Sequence, residues 1–360
     1  MKERNYGIDL LRIVSMIGVM TLHILGHGGV LDNTKILSFN YDLAWLLEVC
    51  AYCAVDCFVL ISGYVSVQAR YKGSNIVLLW LETEVYSVVI MLLFTIFYNL
   101  QAIDIKECIT TFLPVTTSQY WFFSMYFGMM LFVPIIDIFT KNVDLKIEIA
   151  ILLCITFFCT LFSIVNDNVF ELNAGYSVLW FVILYMWGGA LCKIQCVYQF
   201  DLKIIKCVTV GMIFFTWLSK VLLEYITFKI TGRARLGLLF IKYTSPSVLI
   251  AGCGLLIIFS NIKCTKIIPL LKTLTPLVFS SYLIQDNKYI RKYFIENRFS
   301  FLATKNIFIM IVGIFFFAIL CFVVGSGIDL FRQYIFKKLK LKERIRIIEE
   351  RALVQLLEKH

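Results

Sequence analysis

The chain has 360 residues, 60% of them hydrophobic and only 16% charged, with a formal net charge of +10 and a mean hydropathy of +0.84. Soluble domains carry about 25% charged residues, so this composition excludes an ordinary soluble enzyme and a disordered chain alike. The excess of Lys and Arg is what retention of cations on the cytoplasmic side of a membrane produces, and no nucleic-acid partner is expected.

Apolar blocks long enough to cross a bilayer, about 20 residues each, follow one another at 7–27, 42–67, 76–100, 120–140, 147–166, 177–195, 204–226, 237–260, 273–289 and 304–331. They predict an all-α, polytopic bundle of about ten transmembrane helices. The first block follows the basic segment Met1–Tyr6 and resembles a signal peptide. It contains Asp9 and Arg12, is too long, and lacks a small-residue cleavage site before His27, so a retained helix is expected. In the second block Leu60-Ile61-Ser62-Gly63-Tyr64 lacks the first Gly of a nucleophile elbow, and Gly63 reads as a close-packing site between helices. Glu48, Glu82 and Glu84 lie within or near apolar blocks with no role assigned. The segment 101–119 is among the longest outside the blocks, too short for the catalytic loop of a multi-span polysaccharide polymerase. The eighth block is interrupted by Pro246 and the ninth is short. No internal repeat or interrupted pair of helices is evident, which disfavours the alternative of a transporter or flippase of a sugar or lipid-linked oligosaccharide.

An even number of spans places both termini on one side, and the concentration of Lys and Arg there, above all in the tail, makes that side cytoplasmic. Two loops on the opposite side are nevertheless basic: Lys229, Arg233 and Arg235 in one, Lys288, Arg291, Lys292 and Arg298 in the other. Either the topology differs there or these loops meet an anionic ligand. A transmembrane domain over 1–331 is followed by a tail over 332–360, where Leu341, Ile345, Ile348, Ala352 and Leu356 recur at helical spacing among charges. That pattern predicts an amphipathic helix, either an anchor on the inner membrane face or a partner-binding element. Lys-, Asn- and Ile-rich usage suggests an AT-rich bacterial genome, and the expected location is a bacterial plasma membrane.

Ionisable groups inside a bilayer are costly and mark functional sites by default. The first block holds the densest set, Asp9, Arg12 and His23. Asp9 and Arg12 are three apart and can pair. Arg12 and His23 are eleven apart, three turns of helix, so both lie on one stripe separated by roughly 16 Å of rise. A bland account is available: a structural Asp–Arg pair, with His23 capping the helix among headgroups. Asp56, deep in the second block, suits a helix-to-helix hydrogen bond or a pair with Arg12. Tyr120-Trp121 at an expected interface are either belt residues or a sugar contact. The cysteines, such as Cys50, Cys53 and Cys57, read as small apolar filler; no second ligand pair follows them at zinc spacing, and no metal or bound cofactor is expected.

The arrangement Ile8-Asp9…Arg12…His23 resembles the first helix of the membrane-bound acyltransferase-3 family. Val55-Asp56-Cys57-Phe58-Val59-Leu60-Ile61-Ser62-Gly63-Tyr64 is similar to its D-x-F-F-x-x-S-G-[FY] segment, Trp121-Phe122-Phe123 through Pro134 to its W-F-L…P stretch, and Ser281-Tyr282-Leu283-Ile284-Gln285-Asp286-Asn287 to its I-Y-L-I-H-x-N/P segment. The chain departs from the family at Gln285, where many relatives carry a second His; a titrating role there does not carry over, but hydrogen bonding does. The resemblance implies transfer of an acyl group, usually acetyl, from cytoplasmic acyl-CoA to a hydroxyl of an extracytoplasmic or lipid-linked saccharide. It implies His23, Arg12 and Asp9 as catalytic residues, and Arg12, Asp56, Trp121, Tyr282, Gln285 and Asn287 as binding residues. His23 would act as general base, and Asp9 would orient an Arg12 that holds the CoA phosphate or pantetheine arm.

Overall fold

The computed structural model describes residues 4–67, 69, 71–98 and 105–357, with side chains placed as far as Arg351. In chain order the α-helices are α1 (Tyr6–Leu25), α2 (Val30–Asn33), α3 (Phe39–Tyr52), α4 (Ala54–Ser66), α5 (Gly73–Phe97), α6 (Ile105–Phe112), α7 (Trp121–Asn142), α8 (Leu145–Val165), α9 (Val178–Val197), α10 (Leu202–Thr231), α11 (Pro246–Ser260), α12 (Ile268–Leu274), α13 (Val278–Gln285), α14 (Lys288–Ile290), α15 (Ile307–Lys338) and α16 (Leu341–Leu357). No strand occurs among the described residues, as an all-α membrane protein requires, because lipid leaves an open sheet edge unsatisfied.

Among the described residues eight helical segments are long and apolar enough to cross a bilayer, and they coincide with the expected first seven spans and the last. The other two expected spans are built differently. Over 237–260 only Pro246–Ser260 is helical, about 22 Å of rise. Pro246 has no N–H and is favoured only in a first turn, so the chain before it runs as turns. The expected ninth span, 273–289, is a chain of short pieces: α12, a 3₁₀ turn over Thr275–Leu277, α13 and α14. Pro276 removes the amide that would continue the ladder of α12. The second span is bent as well, with α3 and α4 meeting at Cys53. The interruption expected at Pro246 in the eighth block is present, and the short ninth block is divided further. The last two residues of the third expected span, 99–100, lie outside the described residues, as do 358–360. The last of these helices continues through Lys338.

Helix α1 runs through the middle of the bundle, packing against α3, α4, α11, α13 and α15. Asn5 caps it, its side-chain oxygen accepting from the amides of Gly7 (3.0 Å) and Ile8 (3.2 Å), while its amide nitrogen donates to the Ser260 carbonyl at the end of α11. At the other end the chain turns through Gly29, at φ +81°, where a Cβ would also lie 2.6 Å from Asn297 Oδ1. The following loop is fastened by backbone bonds from Asn297 to the His27 carbonyl and from Phe299 to the Gly28 carbonyl, both 3.0 Å.

Gly63 of α4 and Gly188 of α9 bring those helices into backbone contact. A Cβ at Gly63 would sit 1.8 Å from the Tyr185 carbonyl oxygen, and one at Gly188 2.0 Å from that of Leu60. This is the close packing read from the sequence. Gly63→Val should lower stability in detergent by about 1–3 kcal/mol, as overpacking does, and thermal unfolding would record it. Gly211→Ala, inside α10 with no neighbouring atom within 4 Å of the new Cβ, should not lower the melting temperature, since Ala is the better helix former.

Helix α16 confirms the helical tail; its Ile345 is half-buried and its Ile348 is 65% exposed, while the side chains of Ala352 and Leu356 lie outside the described residues. The helix docks at the start of α5, where the donors of Ser74 and Gly73 hold the Glu349 carboxyl below its usual range. A lowered carboxyl stabilises above its unfolded value and loses that contribution as pH falls. Acidification through the lowered Glu349 value, below the ordinary 4.5, should release α16 from α5, and a distance probe spanning the two helices would report it.

Candidate active site

A stripe of α1 comprising Arg12, Met16, Val19 and His23, continued by His27 in the turn beyond the helix, lines a cavity of about 470 Å³ inside the bundle. These positions repeat at three and four residues, one face of a helix. The guanidinium and the imidazole predicted to share a seam thus look into the same space. The remaining wall comes from α3, α4, α7, α13 and the irregular segments between helices, including Glu48, Tyr52, Ser62, Trp121, Tyr243, Thr275 and Tyr282.

Arg12 stands where this cavity meets a second one, of about 600 Å³, that opens near the N-terminal end of α1 and is lined by Arg4, Asn5, Asp9, Tyr64, Gln195 and Ser260 among others. Asp9, only 2% exposed, accepts from Arg4 Nε at 2.6 Å through one oxygen and from Arg12 Nη1 at 3.0 Å through the other. The predicted Asp9–Arg12 pair is therefore a triad. One carboxylate holds two guanidiniums, leaving a surplus positive charge and most of their N–H donors for an anion. Tyr126, hydrogen-bonded to Ser62 at 2.9 Å, borders the Arg12 end of the cavity.

At the other end His23 Nδ1 lies 3.0 Å from Gln285 Oε1. With the amide oxygen as acceptor, Nδ1 of a neutral ring donates this hydrogen bond and Nε2 keeps its lone pair. Gln285 itself is buried, and this contact ties it to the His23 ring. His27 sits one turn beyond, with ring centroids 5.3 Å apart, and Asp286 brings a carboxylate to the same corner. Asn287 is fully buried away from the cavity, donating to Tyr120 Oη at 2.8 Å and accepting from the Tyr289 amide. It fastens α13 to the start of α7. The contacts of Gln285 with His23 and of Asn287 with Tyr120 bring the end of α1, the start of α7 and the end of α13 together.

Trp121 and Tyr282 both face the cavity. Trp121 packs on Tyr176 (4.4 Å between centroids) and Tyr243 (5.8 Å), and Tyr243 stacks on Tyr52 at 4.6 Å. The Trp121 ring belongs to this interior aromatic wall and not to a membrane belt. Glu48 lies on the same wall, with Oε2 lacking a hydrogen-bond partner. Asp56 does not reach either cavity. It is fully buried where α4 meets α9 and α11, beside the Trp180 indole, and neither oxygen has a partner of good geometry. The carboxylate that pairs with Arg12 is Asp9, and no ion pair joins Arg12 to Asp56 among the described residues.

Sequence reasoning gave no site role to Arg4, His27, Glu48 or the tyrosines Tyr52, Tyr176 and Tyr243. His27 was legible, four residues beyond His23 on the same stripe; Glu48 was a carboxylate in an apolar block without a visible partner. The tyrosines sit at helix ends and in the segment before Pro246, where no periodicity marks a face. Part of one basic loop is neutralised from within the protein: Lys288 pairs with Glu107 at 2.6 Å and Arg291 with Asp286 at 3.3 Å. Burial pushes the Glu107 carboxyl up, but Lys288 and Tyr289 outweigh it and hold it below its usual range. Lys229, Arg233 and Arg235 have no acidic partner among the described residues.

A family model described as an acyltransferase domain, that of acyltransferase-3, matches residues 5–326, and the chain belongs to that family. No curated protein and no solved structure matches. The protein is a membrane acyltransferase. If the cavity between Arg12 and His23 is the reaction path, Met16→Trp, which places a ring midway along it, should cut acyl transfer roughly a hundredfold or more by displacing the reactants. Met16→Leu should retain activity, and both should elute from size exclusion as folded protein.

Proposed function

We propose that this acyltransferase moves an acetyl group from acyl-CoA to a hydroxyl of a saccharide or lipid-linked glycan at a bacterial plasma membrane. The observation that carries the reading is the single cavity with a guanidinium at one end and an oriented imidazole at the other. The charged vestibule at Arg4, Asp9 and Arg12 suits the CoA phosphates, because a guanidinium matches phosphate geometry. Its position on the side richer in Lys and Arg, the cytoplasmic side by charge distribution, is where CoA is available. The thioester then extends along the cavity past Met16 and Val19 toward His23.

At the far end the acceptor hydroxyl gives its proton to His23 Nε2 as its oxygen attacks the thioester carbonyl. The C–S bond breaks, the ester forms, and the proton passes from the imidazolium to the departing CoA thiolate. Gln285 keeps the ring in the required tautomer. Tyr52, Trp121, Tyr176 and Tyr243 offer apolar ring faces to the C–H side of a sugar, and Glu48 offers an acceptor for its hydroxyls. These features favour a saccharide over a purely apolar acceptor.

The reading is tested with radiolabelled acetyl-CoA supplied to inside-out membrane vesicles: label should pass to glycan, and a flippase would ignore it. His23→Gln, correctly inserted, should lower kcat by about 10²–10⁴, the usual value of a positioned base. Arg12→Lys should raise KM for acetyl-CoA roughly ten- to a hundredfold, the loss of a charge-assisted bond, with a smaller effect on kcat. Full activity of His23→Gln would remove the base role.

A further inference from the structure

We propose that His23, His27 and Asp286 form a binding site for a divalent transition metal of the Zn²⁺ class, and that its occupation switches the transferase off. The three residues come from the last turn of α1, the turn that follows it and the residue after α13, and one ligand atom from each lies within 4.8 Å of the others. His27 lies in the turn just beyond α1, and its ring already stands 5.3 Å from that of His23. A tetrahedral site with bonds near 2.0–2.1 Å needs ligand atoms about 3.4 Å apart. His27 is exposed, so rotation of its side chain can supply the closure.

The surroundings suit a metal in three further respects. Metal-bound imidazoles usually donate their other N–H to an oxygen acceptor, which fixes the ring. His23 makes that contact through Nδ1 to Gln285, leaving Nε2 for a ligand. The backbone of His27 is held by the bond from the Asn297 amide to its carbonyl. The corner also opens on the cavity, which leaves a fourth position for water. Arg291 is the opposing cation, 3.3 Å from one Asp286 oxygen. Its side chain is 39% exposed, so it can move off the carboxylate toward solvent. Two imidazoles and a carboxylate favour Zn²⁺, Co²⁺ or Ni²⁺ over Mg²⁺ or Ca²⁺, which prefer oxygen alone.

A bound metal takes the Nε2 lone pair of His23, the same electron pair that removes the acceptor proton. Inhibition therefore rests on the proposed function, whereas metal binding does not. The test uses the full chain in detergent, stripped with chelator and titrated with Co²⁺. The expected result is one Co²⁺ per chain with visible bands of nitrogen and oxygen ligation, displaced by Zn²⁺, and affinity weakened about tenfold or more in His27→Ala and Asp286→Asn. His360→Ala should bind as wild type does, and unfolding curves check that the variants fold. No Co²⁺ bands, bands with thiolate charge transfer, or binding indifferent to His27→Ala would overturn the site. In the transfer assay Zn²⁺ should silence the wild type reversibly, while the rate of His27→Ala no longer responds to it. Activity lost on chelation would overturn the inhibitory role and leave the site standing. Co²⁺ binding that depends on His27, together with no transfer from acetyl-CoA, would keep the site and reject the proposed function.

Discussion

A guanidinium placed within a membrane protein needs a counter-charge in hydrogen-bond reach, because the low dielectric that penalises an unpaired ion also strengthens a paired one. Asp9 meets that requirement for two residues at once, one oxygen toward Arg4 and the other toward Arg12. The sharing has a functional consequence. A one-to-one pair would neutralise Arg12, whereas a carboxylate divided between two cations leaves positive charge at the junction of the two cavities. The position of α1 among its five packing partners, the cap by Asn5 and the hydrogen bond of Asn5 to the end of α11 all serve to hold that junction.

Away from the junction the cavity depends on broken helices. Irregular backbone at membrane depth is tolerated only where it is enclosed in protein or lines a polar space. The bend at Cys53 is flanked by Tyr52 and Val55, the turns before Pro246 carry Tyr243, and the 3₁₀ turn after α12 begins at Thr275; each of these residues lines the cavity. Continuous straight helices would pack side chain against side chain and fill such a volume. The interruptions are the means by which a closely packed bundle, with backbone contact at Gly63 and Gly188, encloses a path about 16 Å long between Arg12 and His23.

Other buried charges stabilise the frame without entering the cavities. Arg332 of α15 joins Asp329 at 2.5 Å and Glu82 of α5 at 3.2 Å, while Tyr86 donates to Asp329 at 2.6 Å. Lys193 of α9 pairs with Glu148 of α8 at 2.7 Å, and Lys220 of α10 with Glu224 at 2.7 Å beneath the rings of Tyr41 and Trp45 of α3. Each cation ties helices together, consistent with the enclosed placement that ionisable groups require in a membrane. Glu82, which had no role on inspection of the sequence, belongs to this frame.

The sequence alone established those features that depend on separations within one helix. Apolar runs of bilayer length gave the class, three-residue spacing paired Asp9 with Arg12, and eleven-residue spacing set Arg12 and His23 on one stripe, because helical geometry converts such intervals directly into a face. Four ordered motifs identified the family. Relations between helices were decided only by the tertiary structure: Arg4 sharing Asp9, Gln285 on the His23 ring, Glu48 and the tyrosines around one cavity, and Asp56 turned away from it. Pro246 marked the break in the eighth block, but the turns before it and the 3₁₀ turn over 275–277 were not legible, since hydropathy averages over a segment and does not register how its ladder of hydrogen bonds is cut. Contacts between residues more than two hundred positions apart, such as His23 with Gln285, carry no periodic signature; they arise when packing brings separate helices to the same depth.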